Sequence, residues 1–160
     1  MRTPINDEED LLRAVQAFVK AGLNARITAV NAEKGDWDIP QIDADDDHYV
    51  FSGELMDLPN HAFVSFAVDA PIVTQSNKND ISSTLTIVVE VVFDNEKKAN
   101  TYFKSLRYLR ALYETLLEFE PSTYEVDGFQ INKITPIIVT AKTLGRSLVI
   151  SGVTISMVIG

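Results

Sequence analysis

Residues 81–93 constrain the fold of this chain more than any other segment. From Leu85 to Phe93 every second residue is large and apolar, which is the period of a β-strand with one buried face. The residues between them include Val88 and Val92, so the second face is less polar than a solvent-exposed face would be. We therefore expect a central strand, or a strand whose second face is partly covered.

Two segments have the apolar spacing of amphipathic helices. Apolar residues three and four apart predict a helix over residues 7–21, with Asn6 as its N-cap and Gly22 just past its end. A wider stripe predicts a second helix over residues 96–118, capped by Asp94. This second stripe should be buried, including Tyr102, Phe103 and Leu117.

Shorter runs rich in β-branched and aromatic residues predict further strands, at residues 25–30, 49–52, 61–68, 129–142 and 148–159. Pro136 places the segment 129–142 at a sheet edge or divides it in two, and Gly152 marks a bulge in the last strand. Residues 70–80 are polar and predict a connection, and residues 144–147 predict the turn of a closing hairpin. This order predicts a single α+β domain over residues 1–160. Two helices would pack on one face of a mainly antiparallel sheet, with a C-terminal β-hairpin.

Composition excludes several classes of function. The sequence contains no cysteine, which excludes disulfides, thiolate nucleophiles and cysteine-based zinc sites. The net charge is -9, and the acidic excess lies in the first third of the chain, so we expect no direct, sequence-specific nucleic-acid binding. No apolar stretch has the length of a bilayer span and the first residues lack a secretory pattern. We expect no membrane partner and an origin in the cytoplasm.

An acidic loop is predicted over residues 31–47. Its carboxylates are Glu33, Asp36, Asp38, Asp43, Asp45, Asp46 and Asp47. Trp37, Ile39 and Ile42 interrupt the acidic run, and a disordered linker seldom carries such apolar groups. We therefore expect the loop to dock on the domain or on a partner.

The same loop contains candidates for a divalent-metal site. Asp43, Asp45 and Asp47 fall at positions 1, 3 and 5 of a calcium-binding loop of about twelve residues, and Glu54 falls at its last position. His48 stands where that loop needs a glycine for its sharp turn, so a solvated acidic loop is the alternative interpretation.

Patterns typical of catalysis are absent from the sequence. There is no metal-binding histidine spacing, no nucleophile elbow and no glycine-rich phosphate loop. We therefore expect neither enzyme activity nor a cofactor.

A basic patch is predicted on the second helix, formed by Lys104, Arg107 and Arg110. It has two interpretations, an exposed helix face or a contact with the acidic loop of a neighbouring copy. In the second case the contact would be head-to-tail and could close into a ring. The candidates for this subunit interface are Lys104, Arg107, Arg110, Asp45, Asp46 and Asp47.

The layout resembles the tail terminator and neck (head–tail completion) proteins of long-tailed bacteriophages. The resemblance covers the helix 7–21, the strand 25–30, the loop 31–47, the strand 81–93 with the helix that follows it, and the hairpin 129–159. It implies a ring, commonly a hexamer, that ends tail-tube growth and joins tail to head. It also implies that the chain acts without catalysis or cofactor, within a virion assembled in the host cytoplasm, and contacts itself, the tail tube and head-completion proteins.

Two other functions remain open. One is an intracellular domain that binds a small ligand or a divalent metal, and the other is an acidic adaptor protein.

Overall fold

The computed structural model describes residues 7–69, 73–77, 80–96, 99–120, 127–135, 141–143 and 146–159. Its elements, in chain order, are α1 (Glu8–Lys34), β1 (Tyr49–Phe51), a 3-10 turn (Ser52–Glu54), β2 (Phe63–Val68), β3 (Val73–Asn77), β4 (Asp80–Asp94), α2 (Thr101–Leu117), β5 (Asp127–Thr135), β6 (Ala141–Thr143) and β7 (Arg146–Ile159).

These strands form one mainly antiparallel sheet. Its order is β1-β2-β4-β7-β5, while β3 also pairs with β4 and β6 also pairs with β7. The short β1 is parallel to β2, and each of the other pairings is antiparallel. The longest ladder joins β4 to β7, from Ser83 opposite Ile159 to Asp94 opposite Leu148. The predicted α+β fold and its closing hairpin are confirmed.

The core lies between the sheet and the two helices. From β4 it takes the alternating residues predicted to be buried, Leu85, Ile87, Val89, Val91 and Phe93. From α1 it takes Leu11, Val15, Val19, Leu23, Ile27 and Val30, and from α2 it takes Tyr108, Leu109, Leu112 and Leu116. Burying one such side chain contributes roughly 1.5–3 kcal/mol, so this shared core holds the helices on the sheet.

A smaller apolar cluster covers one end of the other sheet face. Phe63, Val92 and Leu148 pack there with Leu55 and Leu58, which follow the 3-10 turn. The expectation of a partly covered second face is confirmed at this end.

The first helix is longer than predicted, and the strand predicted at residues 25–30 is wrong. Leu23, Ile27 and Val30 continue the helical spacing of buried residues, and this periodicity outweighs the β-propensity of the segment. Gly22 lies inside the helix and faces α2, where an added Cβ would be 3.4 Å from Cγ2 of Thr115, an ordinary van der Waals contact. The helix ends instead at Lys34 and is capped by Gly35, which has a φ of 69°. Residues 31–34 of the predicted acidic loop are therefore helical, and the loop begins at Gly35.

Both helix starts also differ from the prediction. Asp7 is the N-cap of α1 and accepts a hydrogen bond of 2.9 Å from the Asp10 N–H, while Asn6 lies outside the described residues. Asp94 is the last residue of β4, and Asn100 occupies the N-cap position of α2.

The predicted burial of the whole α2 stripe is wrong at its ends. Tyr102, Phe103 and Leu117 are each more than half exposed. Tyr102 and Phe103 lie in the first turn of α2, before its first buried residue, Ser105, and Leu117 is the last residue of the helix.

Two strand predictions also need correction. Val73–Asn77 is a strand despite its polar sequence, because it forms a hairpin ladder with the start of β4. The bulge predicted at Gly152 is wrong, since this residue pairs in register with Glu90. Its lack of a side chain leaves room for Glu90, whose Cγ would be 3.2 Å from an added Cβ. Pro136 and the turn at Leu144 and Gly145 lie outside the described residues.

Candidate functional site

Amide side chains of α1 hold the acidic loop against the helix. The Asn24 amide donates a 2.7 Å hydrogen bond to the Ile42 carbonyl and accepts a 3.0 Å bond from the Ile42 N–H. Asn31 makes the same pair of bonds with Ile39, at 3.1 and 2.9 Å. Each asparagine thus satisfies both backbone groups of one loop residue, as a neighbouring strand would.

The loop docks on the domain as predicted. Gln16 adds a third amide contact, donating a 3.2 Å bond to the Tyr49 carbonyl. Between these contacts the side chains of Ile39 and Ile42 enter the core. Gln16, Asn24 and Asn31 are seven and eight residues apart, about two turns each, so they share one face of α1. We call them the amide ladder.

The second helix holds the same loop from its other side. The guanidinium of Arg107 donates a 2.7 Å bond to the Trp37 carbonyl and bonds the Asp36 carboxylate at 2.9 Å. It also lies 3.7 Å from the centroid of the Trp37 ring, in cation–π contact. The Tyr108 hydroxyl donates a 2.6 Å bond to the Pro40 carbonyl. Arg107 is only 8% exposed, so its guanidinium group interacts mainly with groups of the same chain.

The other predicted interface cations also have partners in the same chain. Arg110 pairs with Glu33 and, at 3.0 Å, with Glu114. The Arg110 hydrogen bond lowers the pKa of Glu33 below its ordinary value. Lys104 Nζ lies 4.7 Å from the centroid of the Phe93 ring. We expected acidic partners for these cations on a neighbouring copy. For Arg107 and Arg110, the same chain provides such partners.

At the tip of the loop, carboxylates surround one histidine. Asp45 Oδ1 lies 2.6 Å from His48 Nδ1, and Asp43 Oδ2 lies 3.9 Å from His48 Nε2. The bond to His48 lowers the pKa of Asp45. The His61 ring stacks on His48 with 3.8 Å between centroids. Carboxylate oxygens therefore lie near both ring nitrogens of His48.

The remaining metal candidates do not join this group. Among the described residues, ligand atoms within 4.8 Å of one another come from Asp43, Asp45 and His48, without Asp47 or Glu54. Asp46, which was predicted as an interface residue, pairs with Lys20 of the same chain at 2.8 Å, and this bond lowers the pKa of Asp46. The four residues predicted as calcium ligands from their spacing therefore do not come together at one site.

Beside the loop lies a groove of about 680 Å³ against α2. Its lining includes Lys34, Trp37, Phe103, Leu106, Arg107 and Arg110. Phe103 is 56% exposed and its neighbour Tyr102 is 51% exposed, with 5.8 Å between their ring centroids. We call Trp37, Tyr102, Phe103, Arg107 and Arg110 the α2 surface. The sequence identified its arginines, but it gave no signal that the aromatic residues at the start of α2 lie outside the core.

The sheet face away from the helices carries a half-buried carboxylate, Glu90. Glu90 lies on the central strand β4, and burial, followed by the negative charge of Asp69, raises its pKa. A charged group in this position opposes apolar association across the centre of that face.

No protein-family model matches the chain, and no curated protein sequence matches it. In the part of the chain that the structure describes, no helix is both long and apolar enough to cross a membrane.

Proposed function

We propose that this chain is a structural subunit of a virion, a tail terminator or neck component whose ring ends tail-tube growth and joins tail to head. The observation that carries the proposal is the α2 surface, where Tyr102 and Phe103 are each more than half exposed beside Trp37 and Arg107. Tyrosine, tryptophan and arginine are the residue types that contribute most to binding at protein–protein interfaces. Together with the layout resemblance, this surface supports self-association.

The polar residues around the α2 surface support an assembly role over a catalytic one. Arg107 and Arg110 are held by Asp36, Glu33 and Glu114, so their charges are largely balanced within the chain. Contacts between the acidic loop and α2 fix the shape of this surface before a partner binds. A preformed surface loses less conformational entropy on binding. The contact we propose has an aromatic centre and a polar rim, and a head-to-tail arrangement of such contacts closes into a ring.

Native mass spectrometry and negative-stain electron microscopy of the purified protein test this function. We expect closed rings, commonly hexamers, formed by the protein alone or when purified tail-tube protein is added. The double substitution Tyr102→Ser with Phe103→Ser should shift the population to monomers, because it removes the aromatic centre of the contact.

The matched control is Met56→Ser, which removes another exposed apolar side chain, 96% exposed and outside the α2 surface. It should assemble like the wild type. A protein that stays monomeric at all concentrations, even with the tube protein, contradicts the proposal. Unchanged rings in the double variant would place the contact elsewhere.

A further inference from the structure

A second cavity, of about 490 Å³, lies between the first turns of α1 and the β1 edge of the sheet. Its apolar walls include Leu12, Phe51, Phe66 and Val68. Val68 is 44% exposed although it lies on the helix-facing side of β2, the same side as the buried Phe66. The cavity shares no residue with the α2 surface.

The strand beside this cavity has a free edge. The Asp69 N–H donates to the Thr86 carbonyl on β4, whereas the Val64 N–H donates to the His48 carbonyl on the β1 side. Backbone groups alternate sides along a strand, so the N–H and C=O of Val68 also point to the β1 side. Because β1 ends at Phe51, opposite Phe66, no strand in the described residues faces them.

The charge at the rim of the cavity is negative. Glu9 and Arg13 form an ion pair at 3.0 Å and largely balance each other. Glu54 also lines the cavity, and its exposed carboxylate makes no ion pair within the described residues. A basic side chain on a bound partner would complement Glu54.

We propose that this edge binds an extended segment of another protein, added as a strand beside β2 in line with β1. The segment pairs with the backbone of Val68, places an apolar side chain in the cavity and brings a lysine or arginine to Glu54. Strand addition at a sheet edge uses main-chain bonds for affinity and side-chain pockets for selectivity, and both are present here. The inference goes beyond the ring proposed above and does not depend on it.

Nuclear magnetic resonance of the ¹⁵N-labelled protein tests this site with synthetic peptides. The probe is acetyl-Lys-Val-Thr-Val-Lys-amide, and the matched controls are its Glu-flanked counterpart and the same peptide with proline in place of threonine. We expect saturable shifts at the amides of Phe51, Gly53 and Val68 with the basic peptide. The acidic peptide should bind about fivefold more weakly, as expected for one exposed charge contact. The proline peptide should also bind more weakly, because it lacks a backbone donor.

Two substitutions sharpen the test. Glu54→Lys should reverse the preference between basic and acidic peptides, and because Glu54 is exposed the fold should be unaffected. Val68→Pro removes the outward N–H without touching the bonds to β4, and it should abolish the shifts.

Three results would overturn the inference. One is the absence of saturable shifts at Val68 with any peptide, and another is equal binding of basic and acidic peptides to wild type and Glu54→Lys. The third is a shift of the same amides with protein concentration alone, which would mean that the edge pairs with a second copy of the chain.

Discussion

At the scale of single residues, the two buried tyrosines of the core differ in the fate of their hydroxyl groups. The Tyr108 hydroxyl donates to the Pro40 carbonyl, whereas the Tyr49 hydroxyl has no hydrogen-bond partner among the described residues. Burial raises the pKa of both side chains, so both remain neutral at physiological pH. A buried hydroxyl without a partner is a desolvation cost that the fold carries.

Tyr49→Phe should therefore stabilise the protein. Removing the unpaired hydroxyl relieves its desolvation, and we expect the free energy of unfolding to rise by about 1 kcal/mol. Tyr108→Phe is the matched control, which should lose about 1 kcal/mol because it leaves the Pro40 carbonyl unpaired. Equilibrium unfolding in urea measures both. Equal losses in the two variants would show that the Tyr49 hydroxyl has a partner.

Residue roles were the hardest part to predict from the sequence. Arg107 was identified as a candidate contact residue, but Asp36 and Trp37, its partners, lie about 70 positions away in the sequence. A pairing over that distance is set by the packing of α2 on the loop, which local patterns do not encode. The carboxylates of Asp43 and Asp45 were visible in the sequence, whereas the position of His48 beside both of them was not.

At the scale of elements, the central strand and the existence of both helices could be predicted, because their apolar periodicity is strong. The length of α1 was missed because residues 25–30 combine β-branched side chains with a preceding glycine. Gln16, Asn24 and Asn31 repeat at nearly helical intervals, a signal that a continuous helix would have made visible. Because the prediction divided α1 into a helix and a strand, it placed Gln16, Asn24 and Asn31 in different elements and missed the amide ladder.

The amide ladder should contribute measurably to stability. Asn24→Ala and Asn31→Ala each remove two hydrogen bonds to the loop backbone, and we expect each to lower the free energy of unfolding by about 1–3 kcal/mol. Hydrogen exchange should accelerate at the amide of Ile42 in the first variant and of Ile39 in the second.

The exposed Ala25→Ser, on the same helix, is the control for a surface substitution in α1 and should lower stability by about 0.5 kcal/mol or less. If the asparagine variants are as stable as this control, the loop is held by its apolar residues and not by the amides.

The contact between α2 and the loop should be sensitive to acid. The hydrogen bond from the Trp37 N–H, followed by the bond from Arg107, lowers the pKa of Asp36 below its ordinary value of 3.8. A depressed pKa means that Asp36 stabilises the fold above pH 3.8, and that this stabilisation is lost as the pH falls through the folded value.

The protein has one tryptophan, so Trp37 fluorescence reports this contact directly. Emission should be constant from pH 7 to about 4 and change below it. Asp36→Asn should show altered emission at neutral pH and a smaller acid transition, while Asp38→Asn, an exposed neighbour, should follow the wild type. An identical acid transition in Asp36→Asn and the wild type would contradict this assignment.

At the scale of the whole molecule, the sheet order formed by the described residues ends at β1 on one side and at β5 on the other. The fold class could be predicted because apolar residues recur with one period in the helices and another in the strands. Strand order and register could not be predicted, because they depend on which strand pairings form the backbone hydrogen bonds and also bury the apolar residues of the core. The polar strand β3 illustrates this, since its pairing with β4 and not its side chains makes it a strand.

The ring proposed above should make thermal stability depend on concentration. Association that occurs only in the folded state raises the melting temperature as protein is added, by roughly 2–4 °C for each tenfold increase if each subunit is linked to assembly. Differential scanning fluorimetry over a hundredfold range of concentration measures this. The Tyr102→Ser and Phe103→Ser double variant should show a flat dependence, and a flat dependence in the wild type would argue against assembly in solution.

The attachment of the acidic loop at Ile42 and Tyr49 has a consequence for engineering the molecule. Asn24 and Gln16 fix these two points to α1, so the interval 43–48 is a short span between fixed ends. Exposed residues of this interval could be replaced, the interval could be lengthened, or a reporter could be inserted into it, while the contacts at Ile42 and Tyr49 are kept. The tip is thus a natural insertion point for labels that must leave the helices and the sheet undisturbed.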